Sequence, residues 1–194
     1  MVEAVGPGDA LLIVDVQNDF LPGGALAVPD GDAVVPVLNA YLAAARQAHL
    51  PVYASRDWHP PDHCSFRAHG GIWPPHCVAG TPGATFSTAL DLPPETEVVS
   101  KAQARDRDAY SAFEGTGLAG ALRARNVARL LIGGLATDYC VLNTVRDAVR
   151  AGFGVLLLTD AIRAVEVTPG DGQAALDEMR RLGARGITLG DLSP

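Results

Sequence analysis

Short apolar runs alternate along this chain with longer stretches in which apolar residues recur at helical spacing. The runs Ala10–Asp15 (ALLIVD), Pro51–Ser55, Glu97–Ser100, Ala128–Ile132, Gly154–Thr159 and Gly186–Leu189 are too short for ordinary helices and read as six strands. Asp32–His49 carries Val34, Val35, Leu38, Tyr41, Leu42 and Ala45 at helical spacing, a crossover helix. Leu118–Arg125, the segment from Thr137 to Gly152 and Gly172–Leu182 read as three further helices. Strands alternating with helices predict parallel pairing through right-handed crossovers. The expected fold is therefore α/β: a three-layer α/β/α, doubly wound, mainly parallel six-stranded sheet, in one domain spanning 1–194.

The stretch Leu130–Cys140 organises the rest. It reads as a buried strand that ends at Gly133-Gly134, followed by a helix entry. Thr137 is the expected N-cap, with Val141, Val145, Ala148 and Val149 continuing the helix to a C-cap at Gly152. Cys140 then lies in a first turn, where free amides and the helix dipole favour a thiolate. Two loops stand out. Asn18–Gly24 is rich in turn residues, and the stretch from Arg56 through Gly83, rich in Gly, Pro and His, is too long for a plain connection.

Composition narrows the class. Hydrophobic residues make up 48% of the 194 positions and charged residues 19%, the balance of a folded globular protein. A net charge of −7 leaves no basic footprint, so nucleic acid is excluded as an expected partner. No apolar run approaches a membrane span, and the N-terminus lacks the basic region of a signal peptide. Three cysteines are too few for a disulfide scaffold. A cytoplasmic enzyme is the expectation. One count is sharper: of 15 basic residues, Lys101 is the only lysine. Codon bias explains the arginines; a requirement for a compact ammonium at this position is the other reading.

The polar residues become informative once placed on the sheet. Asp15, Asp57, Lys101 and Cys140 each fall at or just beyond the carboxyl end of an expected strand, the edge where open α/β sheets bind ligands. A lone free cysteine is more often an inert buried hydrophobe. A thiol delivered to one rim with an amine and a carboxylate is instead equipped for covalent acyl transfer on an amide. Thiolate would attack, the carboxylate would move protons, and amides of the Ala136–Cys140 turn could hold an oxyanion. Asp57 and His59, two apart on an extended segment, share a face, and His76 can bring a third ligand. Such a donor set suits zinc, iron or manganese with open positions. His63 and His69 share the loop as outer-shell or solvated groups, and His49 ends a helix. Phe20 and Trp73 are aromatics in polar loops, placed either to sandwich a flat ring or to anchor their loops.

Several of these residues together resemble a known family. Asp15-Val16-Gln17-Asn18-Asp19-Phe20, Asp57-Trp58-His59, Trp73-Pro74-Pro75-His76-Cys77-Val78, Lys101, Ala109–Gly115 and Ala136-Thr137-Asp138-Tyr139-Cys140 are similar to the motifs of nicotinamidases, a group of the isochorismatase-like cysteine hydrolases. The resemblance runs from Asp15 to about Asp160. It implies a catalytic triad of Cys140, Asp15 and Lys101, and one divalent metal on Asp57, His59 and His76, zinc first, with iron or manganese as alternatives. It also implies a cis peptide before Ala136, an oxyanion hole from the amides of Ala136 and Cys140, and a substrate pocket of Phe20, Trp73 and Tyr110. The implied activity is hydrolysis of nicotinamide through a cysteine thioester, with pyrazinamide as a further substrate. The expected partner is that small-molecule substrate, with no nucleic acid and no membrane, and the chain is expected to form a homo-oligomer. Some relatives place a further metal-binding histidine where this chain has Ser65, and Ala102-Gln103-Ala104-Arg105 departs from close relatives. The alternatives are a metal-free hydrolase of another amide and a non-catalytic binding module on the same fold.

Overall fold

The computed structural model describes residues 3–193. Six parallel strands form the main sheet: β1 (Asp9–Val14), β2 (Val52–Asp57), β3 (Glu97–Lys101), β4 (Arg129–Leu135), β5 (Gly154–Arg163) and β6 (Arg185–Ile187). Their spatial order is β3-β2-β1-β4-β5-β6, the doubly wound arrangement whose direction of winding reverses between β1 and β4. Four helices complete the fold: α1 (Val34–Gln47), α2 (Leu118–Ala124), α3 (Leu142–Arg150) and α4 (Asp171–Arg181). Glu3–Ala4 pairs with Leu192–Ser193 in a short separate ribbon. No helix among the described residues is long and apolar enough to cross a membrane.

Central strands of such a sheet are covered on both faces, which is why β1 reads as an unbroken apolar run. Every residue of β1 is buried, and its side chains alternate between two cores. Leu11 and Ile13 pack with Leu38 and Leu42 of α1. Leu12 and Val14 pack with Leu122 of α2, Val145 of α3 and Met179 of α4. Two independent cores therefore clamp the strand that ends at Asp15.

The structure corrects four local expectations. Strand β2 runs two residues past Ser55, so Asp57 is part of the sheet rather than of the loop. The helix expected from Asp32 opens as a 3-10 turn over Gly31–Ala33 before α1 begins. Gly133 and Gly134 do not end β4; they continue it to Leu135 through a register shift against β5. A Cβ at position 134 would lie 2.1 Å from the carbonyl oxygen of Val14, so glycine there permits the close approach of β1 and β4. Finally, Thr137 is not an N-cap. It is buried within a single π-turn, Thr137–Val141, in which the amides of Tyr139 and Val141 both donate to the carbonyl of Ala136. The peptide bond between Leu135 and Ala136 is cis.

Candidate active site

Strands β1, β2, β3 and β4 bring one polar group each to the carboxyl edge beside the switch point. Asp15 follows β1 in the left-handed region, with φ +50°. Its carboxylate is fully buried. Oδ1 accepts a hydrogen bond from Ser55 Oγ at 2.6 Å, while Oδ2 faces Lys101 Nζ at 3.0 Å without a well-directed hydrogen bond. Lys101 also donates to Asp57 Oδ1 and to the carbonyl oxygen of Ala109 at 3.2 Å. Its ammonium lies 3.5 Å from Cys140 Sγ. The directed hydrogen bonds of one ammonium thus go to two oxygens and the sulfur of Cys140, with the Asp15 carboxylate paired beside it by charge.

Electrostatics in this cluster are set by burial and by two carboxylates around one cation. Burial would lower the pKa of Lys101, but Asp15 and Asp57 hold it well above the ordinary lysine range, so the ammonium is charged. For Asp57 burial pulls upward, yet Lys101 and then His59 outweigh it and the carboxyl stays low. Burial raises Asp15, opposed by Lys101 and reinforced by Asp57. The thiol of Cys140 is driven well above its usual range, first by burial and then by Asp15 and Asp57, against the pull of Lys101. Burial and the two carboxylates thus oppose the thiolate that a first-turn position favours, and Lys101 supports it.

Beside this cluster lies a set of metal-binding side chains. Donor atoms of Asp57, His59 and His76 all lie within 4.8 Å of one another, and all three residues are buried. His59 Nδ1 donates to the carbonyl of Ala102 at 3.2 Å, and His76 Nδ1 to that of Pro74 at 2.8 Å. A carbonyl can only accept, so each ring carries its proton on Nδ1 and presents an Nε2 lone pair. His59 Nε2 is buried with no hydrogen-bond partner, 3.6 Å from Asp57 Oδ2. Burial also lowers the pKa of His76, favouring the neutral ring. An orphaned, correctly tautomerised nitrogen beside a carboxylate fits a divalent cation, and backbone carbonyls orient both rings as ligating histidines require.

His63 does not join these donors. Its Nδ1 accepts from the amide of Ser65 at 3.3 Å and from Ser65 Oγ at 2.7 Å, and its Nε2 donates to the carbonyl of Arg107 at 3.1 Å. Its ring stacks on His59 with centroids 4.2 Å apart. His69 is exposed in a 3-10 turn.

One cavity connects the two groups. Cys140, Ala136, Asp57, His59 and His76 line its polar side, with Ser65 and Asp108; Phe20, Trp73, Tyr110 and Tyr139 line its aromatic side; Leu26, Val28 and Val165 add apolar wall. Trp73 Nε1 donates to Tyr110 Oη at 3.0 Å, and Tyr139 packs edge-on against Trp73 with centroids 5.1 Å apart. Phe20 is buried and tilts over His76 at 5.7 Å.

A family description, Isochorismatase domain, matches residues 9–191. The chain belongs to the isochorismatase family. Within it, the chain is 39% identical to the nicotinamidase of Escherichia coli (strain K12), the match covering 95% of this chain and 97% of that one. The pyrazinamidase of Pyrococcus horikoshii, solved in complex with zinc, superposes with a TM-score of 0.90 at 47% identity, over 94% of this chain and 99% of that one. A protein of L. infantum solved in complex with nicotinate superposes with a TM-score of 0.90 at 36% identity, over 100% and 99% of the two chains.

Sequence reasoning missed four residues that hold this isochorismatase-family site together. Ser55 fixes Asp15, and Gln17 fixes Asp57. Asp19 Oδ2 accepts from the amide of Cys77 at 2.7 Å and so anchors the loop bearing His76. Tyr139 supplies an aromatic wall. Gln17 and Asp19 lie inside the Asp15–Phe20 motif, but nothing in the motif says what they hold.

Proposed function

We propose that this chain is a nicotinamidase: it hydrolyses nicotinamide to nicotinic acid and ammonia, a step of NAD salvage, and accepts pyrazinamide as well. The observation that carries this reading is one aromatic-walled cavity whose polar side holds Cys140, backed by Lys101 and Asp15, and the Asp57–His59–His76 donors. The flat pyridine ring lies among Phe20, Trp73 and Tyr110. Asp57, His59 and His76 would hold the divalent ion, zinc by its donor set, and the ion would supply a Lewis acid for the ring nitrogen.

The chain's own groups then carry the reaction. Cys140 attacks the carboxamide carbon, and its thiol proton passes to Asp15 through the Oδ2 that lacks a directed hydrogen bond. Lys101 stabilises the thiolate as it forms, which is where a charge absent from the ground state is best met. Amides of Ala136 and Cys140 receive the oxyanion. Asp15 returns the proton to the departing nitrogen, ammonia leaves, and a C–S thioester remains. Asp15 next takes a proton from water, whose oxygen attacks the thioester carbon; the C–S bond breaks and Asp15 returns that proton to the leaving sulfur, giving the acid, the thiol and a free Asp15 carboxylate.

The test is ammonia release from nicotinamide by protein of known metal content, before and after chelation. Release that falls with the metal and returns on its re-addition supports the whole reading. Release independent of the metal removes the ring-nitrogen role, and no release from fully metallated, reduced protein removes nicotinamide as the substrate.

A further inference from the structure

Asp138 stands two residues before Cys140, yet both its carboxylate oxygens serve the loop that follows β5. Oδ1 accepts from the amide of Val165 and Oδ2 from the amide of Glu166, each at 2.9 Å. Glu166, held at φ +56°, extends the chain of contacts: its carboxylate accepts from Gly170 N at 2.7 Å and Gly172 N at 2.9 Å. A Cβ at position 172 would meet Glu166 Oε1 at 2.6 Å, so glycine makes room for that carboxylate. This loop is therefore held by carboxylates gripping backbone amides, and the first of them belongs to the nucleophile's own turn.

The loop matters because Val165 lines the cavity, while Val167, two residues on, is 61% exposed. A wall residue carried on a free loop could not set the depth of a pocket. Tied by two charge-assisted bonds to the Cys140 turn, it keeps a fixed distance from the attacking sulfur. We propose that Val165 is a specificity-determining wall of the substrate cavity, and that Asp138, backed by Glu166, is the positioning residue that sets its place. The proposal rests on the nicotinamide reading above.

The experiment compares wild type, Asp138→Asn, Val165→Ala and the double variant on nicotinamide and on ring-methylated nicotinamides. Asparagine can accept from one amide but turns an NH2 toward the other. Asp138→Asn is expected to raise KM for nicotinamide about tenfold with kcat within about twofold of wild type. Both single variants are expected to gain on methylated rings relative to the parent, and the two changes to be non-additive, because they act on one wall. A fall in kcat at unchanged KM, additive effects, or unchanged ring discrimination overturns the proposal. Should Asp138→Asn not fold, Glu166→Gln carries the same expectation at smaller size. A wild type inert on nicotinamide fails the functional reading instead; dissociation constants for nicotinate across the variants then still test the wall.

Discussion

Gln17 and Asp57, forty residues apart, exchange two backbone-directed hydrogen bonds: Gln17 Oε1 accepts from Asp57 N and Gln17 Nε2 donates to Asp57 O, both at 2.8 Å. The same Nε2 also donates to the carbonyl of Ala84 at 2.9 Å. A wholly buried amide side chain thereby joins the loop after β1 to the end of β2 and holds the one carboxylate shared by the ammonium and the histidines. Gln17→Ala would leave an N–H and two carbonyls buried without partners. It should cost about 2–5 kcal/mol of stability and weaken metal retention. Urea unfolding and metal analysis of the variant check this; wild-type values for both would remove the role.

Replacing Cys140 by alanine should lower kcat by about ten-thousandfold or more, with fold and metal content retained. Turnover near wild type, in protein shown by mass spectrometry to carry the substitution, would rule out the covalent scheme.

Lys101 donates to Asp57, Ala109 and Cys140 and pairs by charge with Asp15, all around one compact ammonium in a space 1% exposed. A planar guanidinium cannot reproduce that arrangement. Lys101→Arg should therefore lose about a hundredfold or more in kcat despite keeping the charge. Lys101→Ala should also unfold at lower temperature, since two carboxylates are left facing each other; together these would explain the single lysine of an arginine-rich chain.

Asp57, His59 and His76 have no ligating arrangement in the unfolded chain, so metal bound there stabilises the fold by mass action. At a free concentration a hundred times its Kd the gain is about 2.7 kcal/mol. Thermal unfolding with added zinc and with chelator measures it. Identical transitions in both would argue against these residues as a metal site.

The hydrogen bond from Arg146 holds Glu178 below the ordinary carboxyl range. With its folded-state pKa depressed, Glu178 contributes stability above its unfolded pKa, and that contribution is lost as pH falls through the folded value. The pair is partly exposed, so the effect is below about 1 kcal/mol. Urea midpoints between pH 3 and pH 6 (about the window of a carboxyl) should fall less steeply for Glu178→Gln than for wild type, and equal slopes would show the pair to be inert.

Much of the architecture follows from local pattern. The alternation of short apolar runs with helical periodicity is a property of neighbouring residues, and it predicted six strands, four helices and their parallel winding. Placing Asp15, Lys101 and Cys140 at strand ends required only that the strands be found. Element boundaries shift where packing overrides local propensity. Gly133 and Gly134 read as a stop but lie in β4, where β1 approaches position 134 too closely for any side chain.

By itself, then, the sequence determined the fold class and the edge of the sheet at which the chemistry collects, because burial and periodicity are written in adjacent positions. Only the tertiary structure decided the state and support of the groups there. The rise in the pKa of Cys140 depends on burial beside two carboxylates that arrive from other strands, against the pull of Lys101. Which nitrogens of His59 and His76 remain free depends on carbonyls of Ala102 and Pro74. That Gln17 grips Asp57, and Asp138 grips Val165, depends on segments docking across 40 and 27 positions of chain. Such contacts are made by shape and distance between elements, which no run of neighbouring residues encodes.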